Sequence, residues 1–243
     1  MNNTNMKGAV ILIGSLLWEN EKNALITSQG KLRAKWRNNL DLENKIEIKV
    51  PIRYGRLSGS KKNTYTMVFS NSETNLGSAF LIPFKEEAFN FAQIKKQALE
   101  LSEAEGISTN KHLDRLYSTW GVIAISFNDK KKEALETIRQ KWHNEFKEFS
   151  NSDYKLKKET PTVTKDGELN FNINLPDNID YVFATNTTPS LPDYPSVKKI
   201  VEAINNSKPH YDTYVMENFN HGIRVNNDIE IINLINSLTN KST

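Results

Sequence analysis

The 243-residue chain contains no cysteine. Disulfide bonds, thiolate catalysis and zinc sites built from cysteine are therefore excluded. The sequence also has no phosphate-binding loop and no glycine pattern typical of a dinucleotide site. Its segment Ser58-Gly59-Ser60 is not a Gly-x-Ser-x-Gly elbow, so a serine hydrolase receives no support.

Histidine is scarce, and its spacing gives no metal motif. The chain has four histidines, and none pairs with another at i, i+4 or falls in a glutamate-containing metal motif. They are His112, His143, His210 and His221. We therefore predict no metal site and no cofactor.

The chain also lacks a large excess of one charge and a long apolar run. Its 32 basic and 29 acidic residues give a net charge of +3, too little to predict binding to nucleic acid or to a membrane surface. The apolar run from Gly8 to Trp18 is too short to span a bilayer, and polar residues follow it instead of a cleavage site. We expect this run to belong to the fold and the protein to be cytoplasmic.

The same apolar run is the strongest structural signal. Residues 9–13 read Ala-Val-Ile-Leu-Ile, which predicts a buried central strand. Gly14 and Ser15 follow, and a glycine at the end of a strand lets a ligand approach the backbone closely. The alternative is a core strand that bends at this glycine, and both interpretations remain open at this point.

Strand and helix patterns are mixed along the rest of the chain. The predicted strands cover 46–54, 65–69, 77–82, 122–127 and 181–185, and the predicted helices cover 85–101, 130–149, 197–205, 211–220 and 228–238. The basic stretch 31–40 receives no assignment. Residues 150–178 are polar and read as an inserted or peripheral element with a turn at Asp166-Gly167. This order predicts an α+β fold with a mixed or mainly antiparallel sheet, either open or closed into a barrel.

An aromatic stripe marks the predicted helix 130–149. Apolar side chains recur at helical spacing at Leu135, Ile138, Trp142, Phe146 and Phe149. Such a stripe is typical of a core or of an interface. If the stripe is an interface, we predict a homo-oligomer that forms through helix 130–149.

Three carboxylates crowd the end of the predicted helix 85–101. Glu100, Glu103 and Glu105 fall within six residues, just before Gly106. Like charges and partial burial raise the pKa of a carboxyl group, so one of these groups could act as a general base near neutral pH. The alternative is an acidic, solvated helix end.

The order of short motifs resembles that of the γ-glutamylcyclotransferase superfamily across most of the chain. The motifs that carry the resemblance are Ile13-Gly14-Ser15-Leu16, Ile52–Ser58, Tyr65–Ser70, Gly77-Ser-Ala-Phe80, Leu101-Ser-Glu-Ala-Glu105-Gly106 and Tyr117 before the strand 122–127. The ending from Tyr211 to Ile223 resembles the C-terminal helix of the glutathione-degrading branch. The resemblance implies a single domain over residues 1–243, built as a small mixed β-barrel with surrounding helices and an insertion at about 128–178.

The resemblance also implies an activity. Glu105 would be the general acid/base, and the backbone N–H groups of Gly14, Ser15 and Leu16 would bind the α-carboxylate of a small γ-glutamyl substrate. The product would be 5-oxoproline, formed without a metal or a cofactor.

The chain departs from the family pattern at three positions. Ile13 and Phe80 stand where the family has tyrosine, and Ser102 stands where it has aspartate. These departures leave a second hypothesis open, in which the same fold serves as a non-catalytic module that binds a small molecule or a protein.

Overall fold

The computed structural model describes residues 5–20, 22, 27–59, 63–71, 76–109, 114–156, 158–207 and 213–239. The strands are β1 (Gly8–Leu12), β2 (Ile46–Ser58), β3 (Thr64–Phe69), β4 (Leu76–Pro83), β5 (Gly121–Phe127) and β6 (Tyr181–Thr187). The helices are α1 (Thr27–Arg37), α2 (Phe91–Glu105), α3 (Lys132–Asn144), α4 (Val197–Asn206), α5 (Tyr214–Asn220) and α6 (Asp228–Thr239). His112, His210 and the predicted helical residues 211 and 212 lie outside the described residues.

The six strands form one mixed sheet in the order β3-β2-β4-β1-β6-β5. Strand β1 runs parallel to β6 and antiparallel to β4, and all five of its residues are buried. A strand that is covered on both faces needs apolar side chains at every position, which is why its sequence is a continuous run and does not alternate. The predictions of an α+β fold and of a buried central strand are confirmed, but the strand ends at Leu12, and Ile13 follows it and is half-buried.

The prediction that the sheet closes into a small β-barrel is wrong. Closure would require the edge strands β3 and β5 to pair, but the outer edge of β5 bonds to other segments. The N–H of Ile123 donates to Leu116 O at 2.8 Å, the N–H of Ile125 donates to Gly167 O at 3.0 Å, and the N–H of Leu169 donates to Ile125 O at 2.7 Å. These bonds occupy the edge that a barrel would need, so the sheet stays open.

Part of the polar stretch 150–178 lies between the two edges of the sheet. Beyond its contact with β5, this stretch places Phe171 against Phe69 of β3, with ring centroids 4.9 Å apart. The predicted turn at Asp166-Gly167 is confirmed: Gly167 has a φ of 77°, and the N–H of Thr164 donates to Glu168 O at 2.7 Å. The stretch therefore contacts both edge strands of the sheet, β5 and β3, which would pair with each other in a closed barrel.

The aromatic stripe of the predicted helix 130–149 belongs to the core of this chain. The predicted range is too long, because a short 3₁₀ turn precedes α3 and the helix ends at Asn144, so that Phe146 and Phe149 follow it. Trp142 and Phe146 are both buried. The ring of Trp142 packs 5.6 Å from that of Phe183 on β6, centroid to centroid, and its Nε1–H donates to Gly167 O. A homo-oligomer through this helix stays a prediction, and it would have to use the other side of the helix.

Helix α2 is displaced from its predicted range. It begins at Phe91 because the side chain of Asn90 accepts a hydrogen bond from the N–H of Gln93 and caps the first turn. It extends to Glu105 and ends at Gly106, whose φ of 84° is the left-handed conformation that glycine adopts easily. The predicted stop at Gly106 is confirmed, and Glu105 is the last residue of the helix. No helix in the described ranges is long and apolar enough to cross a membrane.

Candidate functional site

A hydrogen-bonded turn follows the central strand β1. The N–H groups of Leu17 and Trp18 donate to Gly14 O and Ser15 O at 3.0 and 3.2 Å, and the N–H of Glu19 donates to Ser15 O at 2.7 Å. As at any helical N-terminus, the N–H groups that open the turn, those of Gly14, Ser15 and Leu16, take no part in its own hydrogen bonds.

Buried contacts hold this turn in place. Trp18 is buried, and its Nε1–H donates to Asn218 Oδ1 on α5 at 2.8 Å. From α1, Arg37 Nη1 donates to Leu16 O at 2.7 Å. The backbone of the turn is therefore fixed from two sides and is not a free loop.

Helix α1 joins this turn to the end of α2. Gln29 Nε2 donates to Ala104 O at 2.5 Å, and Arg33 Nε donates to the same carbonyl at 3.2 Å. Ala104 lies in the last turn of α2, where carbonyls have no partner within the helix, and the Arg33 cation lies at the negative end of the helix dipole.

Arg33 also links two carboxylates. Its guanidinium is paired with Glu19 and lies 3.6 Å from Glu105, measured from Nη2 to Oε2. The Glu19 side chain is 1% exposed and that of Glu105 is 17% exposed, so only Glu105 retains appreciable contact with solvent. The three groups form a nearly dry acidic cluster with one central cation.

A single cavity of about 480 Å³ brings the predicted site residues together. Gly14, Ser15 and Leu16 line it from the turn, and Glu105 lines it from the end of α2. The cavity lies beyond the carboxyl ends of the parallel strands β1 and β6, where open α/β sheets usually bind their ligands. Its size is within the range of small-molecule sites in proteins.

Hydroxyl groups and a cation also line the cavity. Thr185 and Thr187 on β6 and Arg56 on β2 line it together with Trp120. Arg56 Nη1 donates to both Thr188 O and Thr188 Oγ1 at 2.8 Å, and its guanidinium carbon lies 5.4 Å from the centre of the Trp120 ring. These contacts fix the guanidinium at the edge of the cavity.

A phenol also enters the cavity from α5. Tyr214 lines it, and a Cβ added to Gly14 would lie 3.1 Å from Tyr214 Oη. Burial raises the pKa of Tyr214 to about 12, so the hydroxyl remains protonated at neutral pH. The cavity therefore contains a phenol although position 13 is isoleucine, because Tyr214 supplies one from α5.

The donor set does not suit a metal ion. Across the described ranges, three or more histidine, aspartate or glutamate side chains do not gather in a geometry that could hold one. Glu19 and Glu105 are the acidic groups that line the cavity, and Arg33 lies between them.

Sequence reasoning identified Gly14, Ser15, Leu16 and Glu105 but missed the other polar residues of the cavity. These are Glu19, Gln29, Arg33, Arg56, Ser58, Thr66, Thr185, Thr187 and Tyr214. A signal for part of this set was present, since Gln29, Arg33 and Arg37 recur every four residues and thus share one face of a helix. Thr185 and Thr187 alternate at the end of a strand and thus share one face of the sheet.

Comparisons of the chain with protein-family models, with curated proteins and with solved structures found no match.

Proposed function

We propose that this chain is an enzyme that cyclises a γ-glutamyl compound to 5-oxoproline in the cavity between the β1 turn and the end of α2. One observation carries the proposal: the Gly14–Leu16 turn and Glu105, which are far apart in the sequence, line the same cavity. Both segments are held rigidly through α1, as a preorganised site requires.

The turn would bind the α-carboxylate of the substrate. The N–H groups that open it are outside its own hydrogen bonds, and Gly14 offers no Cβ to keep a ligand away from the backbone. Oriented N–H groups of this kind favour negative charge. A carboxylate held here would leave the α-amine of the substrate facing the interior of the cavity.

Glu105 would move the protons. It would accept one from the α-amine as the amine nitrogen attacks the substrate's own γ-carbonyl carbon, and the new C–N bond would close the five-membered ring. It would return the proton to the departing amine nitrogen as the original γ-amide bond breaks. The reaction is intramolecular, so holding the substrate in a reactive conformation supplies much of the rate acceleration.

The test is to incubate the purified chain with glutathione and a panel of γ-glutamyl amino acids and amines and to measure 5-oxoproline. Glu105→Gln is expected to lower turnover by at least about 100-fold, because loss of a general acid/base typically costs that much. Glu103→Gln is the matched control, since this exposed carboxylate is on the same helix end. Turnover that Glu105→Gln leaves unchanged would contradict the role of Glu105.

The second candidate is a module that binds the same kind of ligand without converting it. The contact between Arg33 and Glu105 favours it, because a carboxylate beside a guanidinium can serve as a fixed charge as well as a base. Calorimetric binding of a γ-glutamyl compound that is recovered intact after prolonged incubation would support this function over catalysis.

A further inference from the structure

We propose that residues 170–175 form a docking edge for an extended peptide segment of another protein that carries acidic side chains. The peptide would lie in a second cavity, of about 910 Å³, which residues 168–175 line together with the end of β5 and part of α3. None of the described residues that line this cavity also lines the candidate active site. The inference is therefore independent of the proposed function and goes beyond it.

The docking edge has the sequence of a β-strand. It reads Asn-Phe-Asn-Ile-Asn-Leu, in which polar and apolar residues alternate without a charge, a proline or a glycine. Segments of this kind pair readily with another strand. Phe171, Ile173 and Leu175 all pack against the hydrophobic core of the chain. Side chains two residues apart point to the same side when the backbone is extended, so this packing indicates a strand-like conformation.

No strand in the described ranges pairs with the docking edge. The parallel ladder between β5 and residues 167–169 stops where the chain bends at Phe171, and the next bond in its register, from Phe171 N–H to Phe127 O, is not formed. The backbone groups of residues 171–175 form no hydrogen bond with any part of the chain that the structure describes. Unpaired N–H and C=O groups along a strand are a template for another extended backbone. Phe127 also lines the cavity, so the space for such a backbone begins where the two segments diverge.

The docking edge is held at both ends without a partner. At one end, the N–H of Asn170 donates to Thr162 O at 2.9 Å and its Nδ2 donates to Pro161 O at 2.8 Å. At the other end, Pro176 O accepts a hydrogen bond from Asn128 Nδ2 at 3.2 Å. A segment that is already in place loses little conformational freedom when a peptide binds, which favours binding.

The charges around the second cavity favour an acidic peptide. The charged residues that line it are the cations Lys49, Lys130, Lys132 and Arg139 and the acids Asp129 and Glu168. Glu168 accepts two hydrogen bonds from Arg139, both at 2.6 Å, so these two charges compensate each other. Lys49 and Lys130 pair with acids outside the cavity, but both side chains of each pair are more than half exposed, and such pairs contribute little. Lys132 forms no ion pair with a described residue.

The same charges argue against a second copy of the chain as the occupant. Two copies that paired through residues 170–175 would bring the same cations close to one another. Like charges across an interface are unfavourable, whereas a partner of opposite charge is attracted. The polarity of the cavity therefore selects a different protein with acidic side chains.

The test is calorimetric titration with an acetylated synthetic peptide in which valine alternates with threonine and two glutamates follow. A version that is N-methylated along its length keeps the side chains but loses the main-chain donors, and it should bind at least about tenfold more weakly. A version with lysines in place of the glutamates should also bind at least about tenfold more weakly.

A charge reversal on the protein completes the titration. Lys132→Glu should weaken binding of the glutamate peptide by at least about tenfold and improve binding of the lysine peptide. Lys141→Glu is the matched control, because it makes the same charge change at an exposed position of α3 that does not line the cavity. It should leave both affinities nearly unchanged.

Hydrogen exchange locates the bound peptide. The glutamate peptide should slow exchange of the amide hydrogens of residues 171–175 and leave those of Gly14, Ser15 and Leu16 unchanged. No binding of the glutamate peptide, equal binding of its N-methylated version, or protection elsewhere overturns the proposal. A dimer of the chain alone in which residues 171–175 are already protected would assign the edge to a second copy and would overturn it as well.

Discussion

Replacing Arg33 with methionine removes the cation at the centre of the acidic cluster. The native guanidinium is paired with Glu19, lies 3.6 Å from Glu105 and donates to Ala104 O. Methionine keeps the apolar stem of the side chain but none of these contacts. The change therefore isolates the charge and the hydrogen bonds of Arg33 from most of its packing.

The expected loss of stability follows from burial. The Glu19 side chain is 1% exposed and that of Arg33 is 10% exposed, so Arg33→Met leaves a carboxylate in a dry site. Removing one partner of a buried ion pair costs about 3–5 kcal/mol. The lost hydrogen bond to Ala104 O adds about 1 kcal/mol. The Glu105 side chain is 17% exposed, so water can partly replace its contact with the guanidinium. We expect the free energy of unfolding to fall by about 4–6 kcal/mol.

Urea denaturation at neutral pH measures this loss. The double variant Glu19→Leu with Arg33→Met should recover at least about 2 kcal/mol relative to Arg33→Met alone, because it removes the buried carboxylate as well. Lys35→Met, on an exposed position of the same helix, is the control and should change stability by less than about 0.5 kcal/mol. A loss below about 1 kcal/mol for Arg33→Met, or no recovery in the double variant, would refute the reasoning.

Two further predictions concern the core and the response to pH. Trp142→Ala should cost about 3–5 kcal/mol in urea denaturation, because the ring is fully buried and its Nε1–H donates to Gly167 O; a cost below about 1 kcal/mol would contradict its place in the core. The Asp228 carboxyl accepts hydrogen bonds from the Tyr54 hydroxyl and from the N–H of Val225. Burial raises its pKa from the usual 3.8 to about 6. The folded chain therefore binds more protons than the unfolded chain between about pH 4 and pH 6, and stability falls by up to about 3 kcal/mol as the pH rises through that window. Asp228→Asn should flatten this fall in the free energy of unfolding measured against pH, and an unchanged slope would show that other groups cause it.

Local patterns in the sequence were sufficient for several elements. The run at residues 9–13 predicts a strand that the structure places at the centre of the sheet, and Asp166-Gly167 predicts a turn that the structure contains. The stripe that includes Trp142 predicts a buried helix face. Each of these signals depends on residues that are close together in the chain, so the sequence displays it directly.

Helix α1 shows why the site was harder to predict. Gln29, Arg33 and Arg37 face inward, yet they are polar, so the helix lacks the apolar stripe that usually reveals a buried face. Their partners are backbone carbonyls at the end of α2 and in the turn after β1. Hydrogen bonds to backbone carbonyls leave no pattern in the sequence, because every residue has a carbonyl group.

The sequence by itself determined the α+β class, the central strand and the end of α2 at Gly106, since these follow from hydrophobic periodicity and from backbone conformations that glycine favours. Only the tertiary structure decided that the sheet stays open, because the outer edge of β5 pairs with Leu116 and with residues 167–169 and not with β3. It also decided that Gly14, Glu105 and Arg56, from three separate segments, line one cavity. Such contacts depend on how distant elements pack against one another, and no local pattern encodes that packing.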